Sequence, residues 1–168
     1  HSYICNSVPK YLFTFLTARA FCRAMIALRS AEPVDLTAIT ALDARLTGHA
    51  KAAYWQDMLA RYAGGPPERH FLVAETVKGA LAGFIAGEVR AWEFGQPPAG
   101  WVFAIQVDPK LRLKGTGSTL FEALAARFKA QGVSRVRTLV DRKDHLILSF
   151  FRAQGMTAGP SLQLDKAL

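Results

Sequence analysis

Two apolar runs, residues 101–107 and 133–140, stand on either side of a basic, glycine-bearing turn and a stretch with helical periodicity. That order leaves the chain little topological freedom. From Gly117 onward Leu120, Phe121, Leu124, Ala125 and Phe128 recur at three-to-four spacing, the stripe of a helix with one buried face, and Gly132 marks its end. A strand, a helix and a second strand in this order join by a right-handed crossover, which sets the two strands parallel. The turn between the first strand and the helix then lies at the carboxyl end of the strand, where sheets of this kind hold ligands. The expected fold is α/β, a mixed sheet flanked by helices.

The turn itself has the composition of an anion cradle. Between Ile105 and Ser118 the chain runs Ile-Gln-Val-Asp-Pro-Lys-Leu-Arg-Leu-Lys-Gly-Thr-Gly-Ser. Glycines at 115 and 117 let backbone approach a ligand, the first amides of the helix point outward, and the macrodipole favours negative charge there. Lys110, Arg112 and Lys114 add positive charge. The spacing excludes two better-known phosphate loops. A dinucleotide fingerprint needs Gly-x-Gly-x-x-Gly, and a Walker loop needs Lys directly after its last glycine, whereas Lys114 precedes Gly115.

The remaining segments supply the rest of such a sheet. Residues 26–30 form a candidate strand, and Pro33 suits the first turn of a helix striped by Leu36, Ile39, Leu42 and Leu46. A second helix over 52–62 carries Tyr54, Trp55, Met58 and Leu59, and the Gly-Gly-Pro-Pro of 64–67 ends it. Residues 71–77 and 80–92 form an antiparallel pair joined at Lys78-Gly79. A short helix over 144–154 carries Leu146, Ile147, Phe150 and Phe151, Gly155 caps it, and residues 161–165 are expected as a last strand.

With 168 residues, 51% of them apolar, one domain with a proper core is expected, over residues 25–168. The formal charge of +8 is scattered, and no helix carries the dense basic stripe that nucleic-acid docking needs, so nucleic acid ranks last among the partners. Cys5 and Cys22 precede the domain and His1, His49, His70 and His145 share no ligand spacing, so neither a disulfide framework nor a metal is expected. The apolar run of 11–18 after Lys10 is far shorter than the ~20 residues that span a bilayer. We read residues 1–24 as an extension outside the domain that packs as a helix if ordered, and the protein as cytoplasmic, a monomer or homodimer, with no membrane partner.

Three signatures then meet a family. Val107-Asp108-Pro109 followed by Arg112-x-x-Gly115-x-Gly117, Thr138-Leu139-Val140 as the next strand, and Phe150-Phe151-Arg152-Ala153-Gln154-Gly155-Met156 occur in one order and spacing. In this the chain resembles the GNAT superfamily of acyl-CoA-dependent N-acetyltransferases. The resemblance implies a centrally splayed sheet and acetyl-CoA as co-substrate, without a metal. It implies that the amides of Leu113, Lys114, Gly115, Thr116, Gly117 and Ser118 hold the pyrophosphate, with Arg112 in the leading Gln/Arg position. It further implies that Ile105, Gln106 and Val107 pair with the pantetheine arm and that the Val107 N–H faces the thioester oxygen, with Asp144, Phe150 and Phe151 completing the cofactor site.

Two departures bear on catalysis. Many members have Tyr where this chain has Phe151, and that Tyr protonates the departing thiolate; Ser149 or water takes the role here. Asp144 stands where Asn is common, and an ionised Asp accepts but cannot donate. Glu88, on the long third strand, is the candidate base, directly or through water. The acceptor is a small-molecule or protein amine, shaped by residues 31–62 and 92–101, where Tyr54, Trp55, Trp92, Phe94 and Trp101 could receive an ammonium by cation–π contact. No cysteine lies in the domain, so direct transfer in a ternary complex is expected. The rival reading is a degenerate member that senses acyl-CoA without turnover.

Overall fold

A computed structural model describes residues 26–168, apart from the side chains of Leu113 and Lys114. The expected N-terminal extension lies outside the described residues. The chain divides into two units, one ending at Thr138 and one running from Leu139 to Leu168. The first holds a five-stranded mixed sheet in the order β1-β2-β3-β4-β5. Its strands are β1 (Ile26–Ser30), β2 (Arg69–Thr76), β3 (Leu81–Arg90), β4 (Ala99–Val107) and β5 (Val136–Thr138). The first four pair antiparallel, and β5 lies parallel to β4 as the crossover requires. Pro33 opens a 3-10 turn, Pro33–Asp35, that runs into α1 (Leu36–Thr47). Arg29 on β1 forks onto Asp35 at 2.7 Å and reaches Glu75 on β2, which ties the helix entry to the sheet.

Helices cover the sheet on both faces, so β2 and β3 are buried along most of their length. On one face α1 and α2 (Ala52–Tyr62) set Ile39, Leu42, Trp55, Met58 and Leu59 against Phe71, Val73, Phe84 and Ala86. Each buried Ile, Leu, Met, Val or Phe among them contributes about 1.5–3 kcal/mol by leaving water. Trp55 meets Phe84 edge-on at 5.0 Å and sits at the centre of this layer. On the other face α3 (Thr116–Ala130) buries Leu120, Phe121, Leu124 and Phe128, the stripe expected from the sequence. That packing needs a bare backbone beneath it. A Cβ at Gly100 would fall on the Phe128 ring.

β4 carries the feature that shapes the sheet. Ala104 pairs with Ala86 but Val102 pairs with Gly87, so Phe103 is an extra residue, a bulge. Phe103 and Ala104 consequently turn to the same face, the one covered by α1 and α2. At the bulge the parallel pairing also stops: β5 matches only Gly100, Trp101 and Val102, although β4 continues to Val107.

The structure corrects two expected strands. Residues 133–140 yield only Val136–Thr138, because Val133 returns its N–H to Phe128 O at 3.2 Å beside the left-handed Gly132 and belongs to the helix end. Residues 161–165 form no strand; Leu162 and Leu164 are exposed and no other strand pairs with them among the described residues. The second unit is built on α4 (His145–Ala153). Between β3 and β4 the tip Glu93–Gly95 sets Trp92 (φ 60) and Phe94 (φ 48) in the left-handed region, both exposed to solvent.

Gly100→Ala is expected to destabilise the fold by about 1–3 kcal/mol through overpacking against Phe128, and Phe128→Leu in that background to restore part of it. Urea unfolding of the single and double variants measures both. His70 gives a pH dependence. It is buried beside Phe128, with Gln131 Nε2 3.1 Å from its Nε2, and burial together with Arg127 holds its pKa below the ordinary value. The unfolded chain binds that proton from about pH 6.5 downward while the fold does not, so stability falls as pH drops below about 6.5. His70→Gln flattens this slope in thermal melts between neutral and mildly acid pH.

Candidate functional site

The bulge decides which backbone groups of β4 stay available. Asp108 N–H donates to Ala82 O at 2.9 Å, which makes Gly83 and Val107 a non-hydrogen-bonded pair. By alternation Gln106 exchanges both of its backbone bonds with Phe84, and the amides and carbonyls of Ile105 and Val107 face the opposite edge. Before the bulge that edge is filled: Gly100 N–H reaches Arg135 O at 2.9 Å. Beyond Val102 the β5 ladder has ended. Arg112 Nε donates to the Val107 carbonyl at 3.4 Å, at the end of the same edge.

The edge leads directly into the turn. Asp108 caps a 3-10 segment, Pro109–Lys114, by accepting from Lys110 N–H at 2.9 Å, and it also meets Arg45 of α1 at 3.3 Å. Gly115 then takes φ 81, a left-handed conformation that strains any residue with a Cβ, and α3 begins. The first bond of its ladder runs from Thr119 N–H to Gly115 O at 3.0 Å, so the amides of Thr116 and Gly117 precede the ladder at the positive end of the helix. Thr116 is buried and its hydroxyl donates to Leu111 O at 3.4 Å, which pins the turn. Residues 113–118 therefore run from the 3-10 segment through the left-handed Gly115 into the start of α3, with the exposed Arg112 beside them.

On the face opposite the Ile105 and Val107 side chains stands a group that sequence reading did not single out. Asp43 of α1 is fully buried and accepts from Gln106 Nε2 at 2.6 Å, Trp55 Nε1 at 2.8 Å and Lys51 Nζ at 2.9 Å. Burial pushes its carboxyl up, but the bonds from Gln106, Trp55 and Lys51 outweigh that and hold it below its ordinary value. Gln106 Oε1 is buried without a partner among the described residues. A signal for Asp43 was present in the sequence: it lies four residues after Ile39 and next to Leu42, on the apolar side of α1.

Glu88 lies on the same face, part-buried. Its Oε2 accepts from Tyr62 Oη at 2.5 Å and its Oε1 from Arg90 Nε at 2.8 Å, with Arg69 3.8 Å away. Burial raises the Glu88 carboxyl, but Tyr62, Arg90 and Arg69 together lower it by more, and the balance leaves it below the ordinary carboxylate range. Tyr62 in turn is pushed up to about 12 by burial and by Glu88, and stays a donor. Tyr62 packs edge-on to Phe103 at 5.3 Å, which sets this carboxylate near the bulge.

The aromatic residues expected to shape an acceptor pocket separate into different places. Trp55 is 2% exposed and belongs to the core; Tyr54 is exposed beside it. Trp92 and Phe94 occupy the hairpin tip at the end of β4 away from the glycine turn, and Arg90 lies over the Trp101 ring at 5.2 Å. In the second unit Asp144 caps α4 by accepting from Ile147 N–H at 3.0 Å, Ser149 is exposed, and Phe150 meets the buried Phe151 edge-on at 5.1 Å. Among the described residues no group of three or more His, Cys, Asp or Glu could hold a metal, and no helix is long and apolar enough to cross a membrane.

The profile of the acetyltransferase (GNAT) family matches residues 36–156. No curated protein matches the sequence. Solved structures share the fold at low identity. The aminoglycoside antibiotic 6'-N-acetyltransferase AAC(6')-Ih from Acinetobacter baumannii is 16% identical, with 85% of this chain and 99% of that chain covered and a TM-score of 0.72. Glucosamine-6-phosphate N-acetyltransferase from Arabidopsis thaliana is 20% identical over 84% of this chain and 97% of that chain, TM-score 0.67. The aminoglycoside N-acetyltransferase AAC(6')-Iy, solved in complex with CoA, is 13% identical over 84% and 94%, TM-score 0.72.

Tyr62→Phe removes the shortest bond to Glu88 and is expected to raise the Glu88 carboxyl toward its ordinary range. A carbon-13 titration of glutamate carboxyls reads the midpoint directly. Because the folded value is depressed, the stabilisation from Glu88 is present above about pH 4.3 and lost as pH falls through the folded value. The variant therefore has less of it to lose, and has lost it by a higher pH than the wild type; an unmoved midpoint would show that Tyr62 does not hold the charge.

Proposed function

Since the chain belongs to the GNAT family of acetyltransferases, we propose that it moves an acetyl group from acetyl-CoA to a primary amine by direct attack in a ternary complex. The observation that carries this reading is the half-paired strand: β4 loses its β5 partner at Val102, and its next outward amides, Ile105 and Val107, lead straight to the Gly115 turn. An extended arm bearing amides can pair with such an edge as a strand would, and an anionic pyrophosphate suits a helix N-terminus. The residues present therefore fit acetyl-CoA, which supplies an activated acyl group.

In this reading Leu113, Lys114, Gly115, Thr116, Gly117 and Ser118 hold the pyrophosphate through their amides, and Arg112 adds positive charge. Ile105 and Val107 bind the arm, and Gln106 holds the strand between them. Val107 donates to the thioester oxygen. A fixed donor there stabilises the developing oxyanion more than the ground-state carbonyl, and so lowers the barrier. Nitrogen attacks the carbonyl carbon, the carbon–sulfur bond breaks, and the ammonium proton leaves through water toward Glu88, whose own oxygens are occupied by Tyr62 and Arg90. Ser149 or water protonates the thiolate, a tolerable leaving group because thiols ionise near pH ~8.5. The parts given to Asp144, Ser149, Phe150 and Phe151 rest on the family resemblance alone. The acceptor is a small-molecule or protein amine.

Release of CoA thiol from acetyl-CoA across a panel of amines tests the reaction; tight CoA binding with no turnover over a broad panel sinks it and points to an acyl-CoA sensor. Gly117→Trp fills the buried start of α3 and is expected to abolish CoA binding in calorimetry while the circular dichroism spectrum is kept. Unchanged affinity would refute the cradle. Phe151→Tyr is expected to leave turnover similar or modestly higher.

A further inference from the structure

On the reading of the β4 edge just given, we propose that Asp43 and Gln106 are positioning residues that hold the Ile105 and Val107 amides in place from the opposite face of the sheet. A strand is normally fixed by ladders on both sides. From Ile105 to Val107 only the β3 ladder is available, because the other edge has to stay open for the arm. Loosening there matters more than elsewhere, since a misplacement of about 1 Å in a reacting geometry costs up to ~10²-fold in rate.

Gln106 is the residue between the two amides, and its side chain emerges on the α1 face. Its Nε2 is bonded at 2.6 Å to a carboxylate that is itself immobile: Asp43 is fully buried, on a helix, and held by Trp55 Nε1 at 2.8 Å and Lys51 Nζ at 2.9 Å. Trp55 in turn is clamped edge-on by Phe84, the residue that pairs with Gln106 across the sheet. Core, carboxylate and strand thus form a closed loop of contacts. A buried charge is a costly way to fill an apolar helix face, and replacing such charges with apolar groups is often neutral or stabilising. Asp43 therefore does more here than fill space. The bond also fixes the orientation of the Gln106 amide, because the ionised carboxylate takes only donors.

The test compares wild type with Gln106→Leu, Gln106→Glu and the exchange Asp43→Asn/Gln106→Glu. Gln106→Leu removes the bond while keeping the bulk. Gln106→Glu sets two carboxylates together, and the exchange restores a hydrogen bond with donor and acceptor swapped. Four quantities are measured: kcat with an amine that the wild type accepts, the affinity for CoA, the melting temperature, and the protection from hydrogen exchange that CoA confers on the peptide covering residues 104–108. In Gln106→Leu and Gln106→Glu, kcat is expected to fall by about tenfold or more. CoA affinity falls less than kcat because the cradle is intact, and the CoA-induced protection of the β4 peptide is reduced. The exchange variant recovers most of both losses. Lower melting temperatures with kcat and protection unchanged would make the pair merely structural and overturn the inference. If Gln106→Leu does not fold, the contrast between Gln106→Glu and the exchange variant decides alone. Failure of the wild type to bind CoA would overturn the functional reading itself, and this inference with it.

Discussion

A backbone amide inside a sheet needs a partner, and β4 is built so that two of its amides face away from β3 with no strand beside them among the described residues. The extra residue at Phe103 is the cause. It shifts the alternation of β4, so that Gly100 faces β5 before the bulge and Ile105 and Val107 face the same edge after it. The bend it introduces coincides with the end of the β5 ladder. The remaining layers follow from that geometry. α3 crosses over from the end of β4, packs Phe128 onto the bare backbone of Gly100, and returns a short parallel strand to the half of β4 that remains closed.

Charge is handled in two ways on the face under α1 and α2. Asp43 and Glu88 are both withdrawn from solvent, which alone would drive each toward its neutral form, and both are kept ionised by donors aimed at them. Asp43 takes donors from Trp55 in the core and from Gln106 on β4, so it fixes positions. Glu88 takes its donors from Tyr62 and Arg90 near the bulge, where Phe103 packs against Tyr62. The net charge of +8 therefore describes the surface. It says little about this face, where each buried acid has its own cations.

Much of the fold was legible in the residues, and for local reasons. The stripe at Leu120, Leu124 and Phe128 can bury only as a helix, and Pro33, Lys78-Gly79 and Gly132 mark turns by their own backbone preferences. The misses were non-local. Residues 133–140 alternate well enough for a strand, but Val133 is taken by the helix end and Leu139 lies beyond the β5 ladder. Leu162 and Leu164 alternate too, and with no strand paired to them among the described residues they are exposed. Trp55 has the composition of a binding residue and the environment of a core residue, and no sequence pattern separates the two.

The sequence by itself determined most of the order of elements, the parallel crossover, the glycine turn at Gly115 and membership of a family whose profile spans most of the chain. These follow from short-range periodicity and from backbone conformations that particular residues permit. Tertiary structure alone decided which amides of β4 face an open edge, because that depends on the register against β3 and on one inserted residue. It also decided that Asp43, Trp55 and Gln106 meet. Gln106 lies 63 residues beyond Asp43, and only the packing of α1 and α2 on the sheet brings a helix carboxylate to the back of β4.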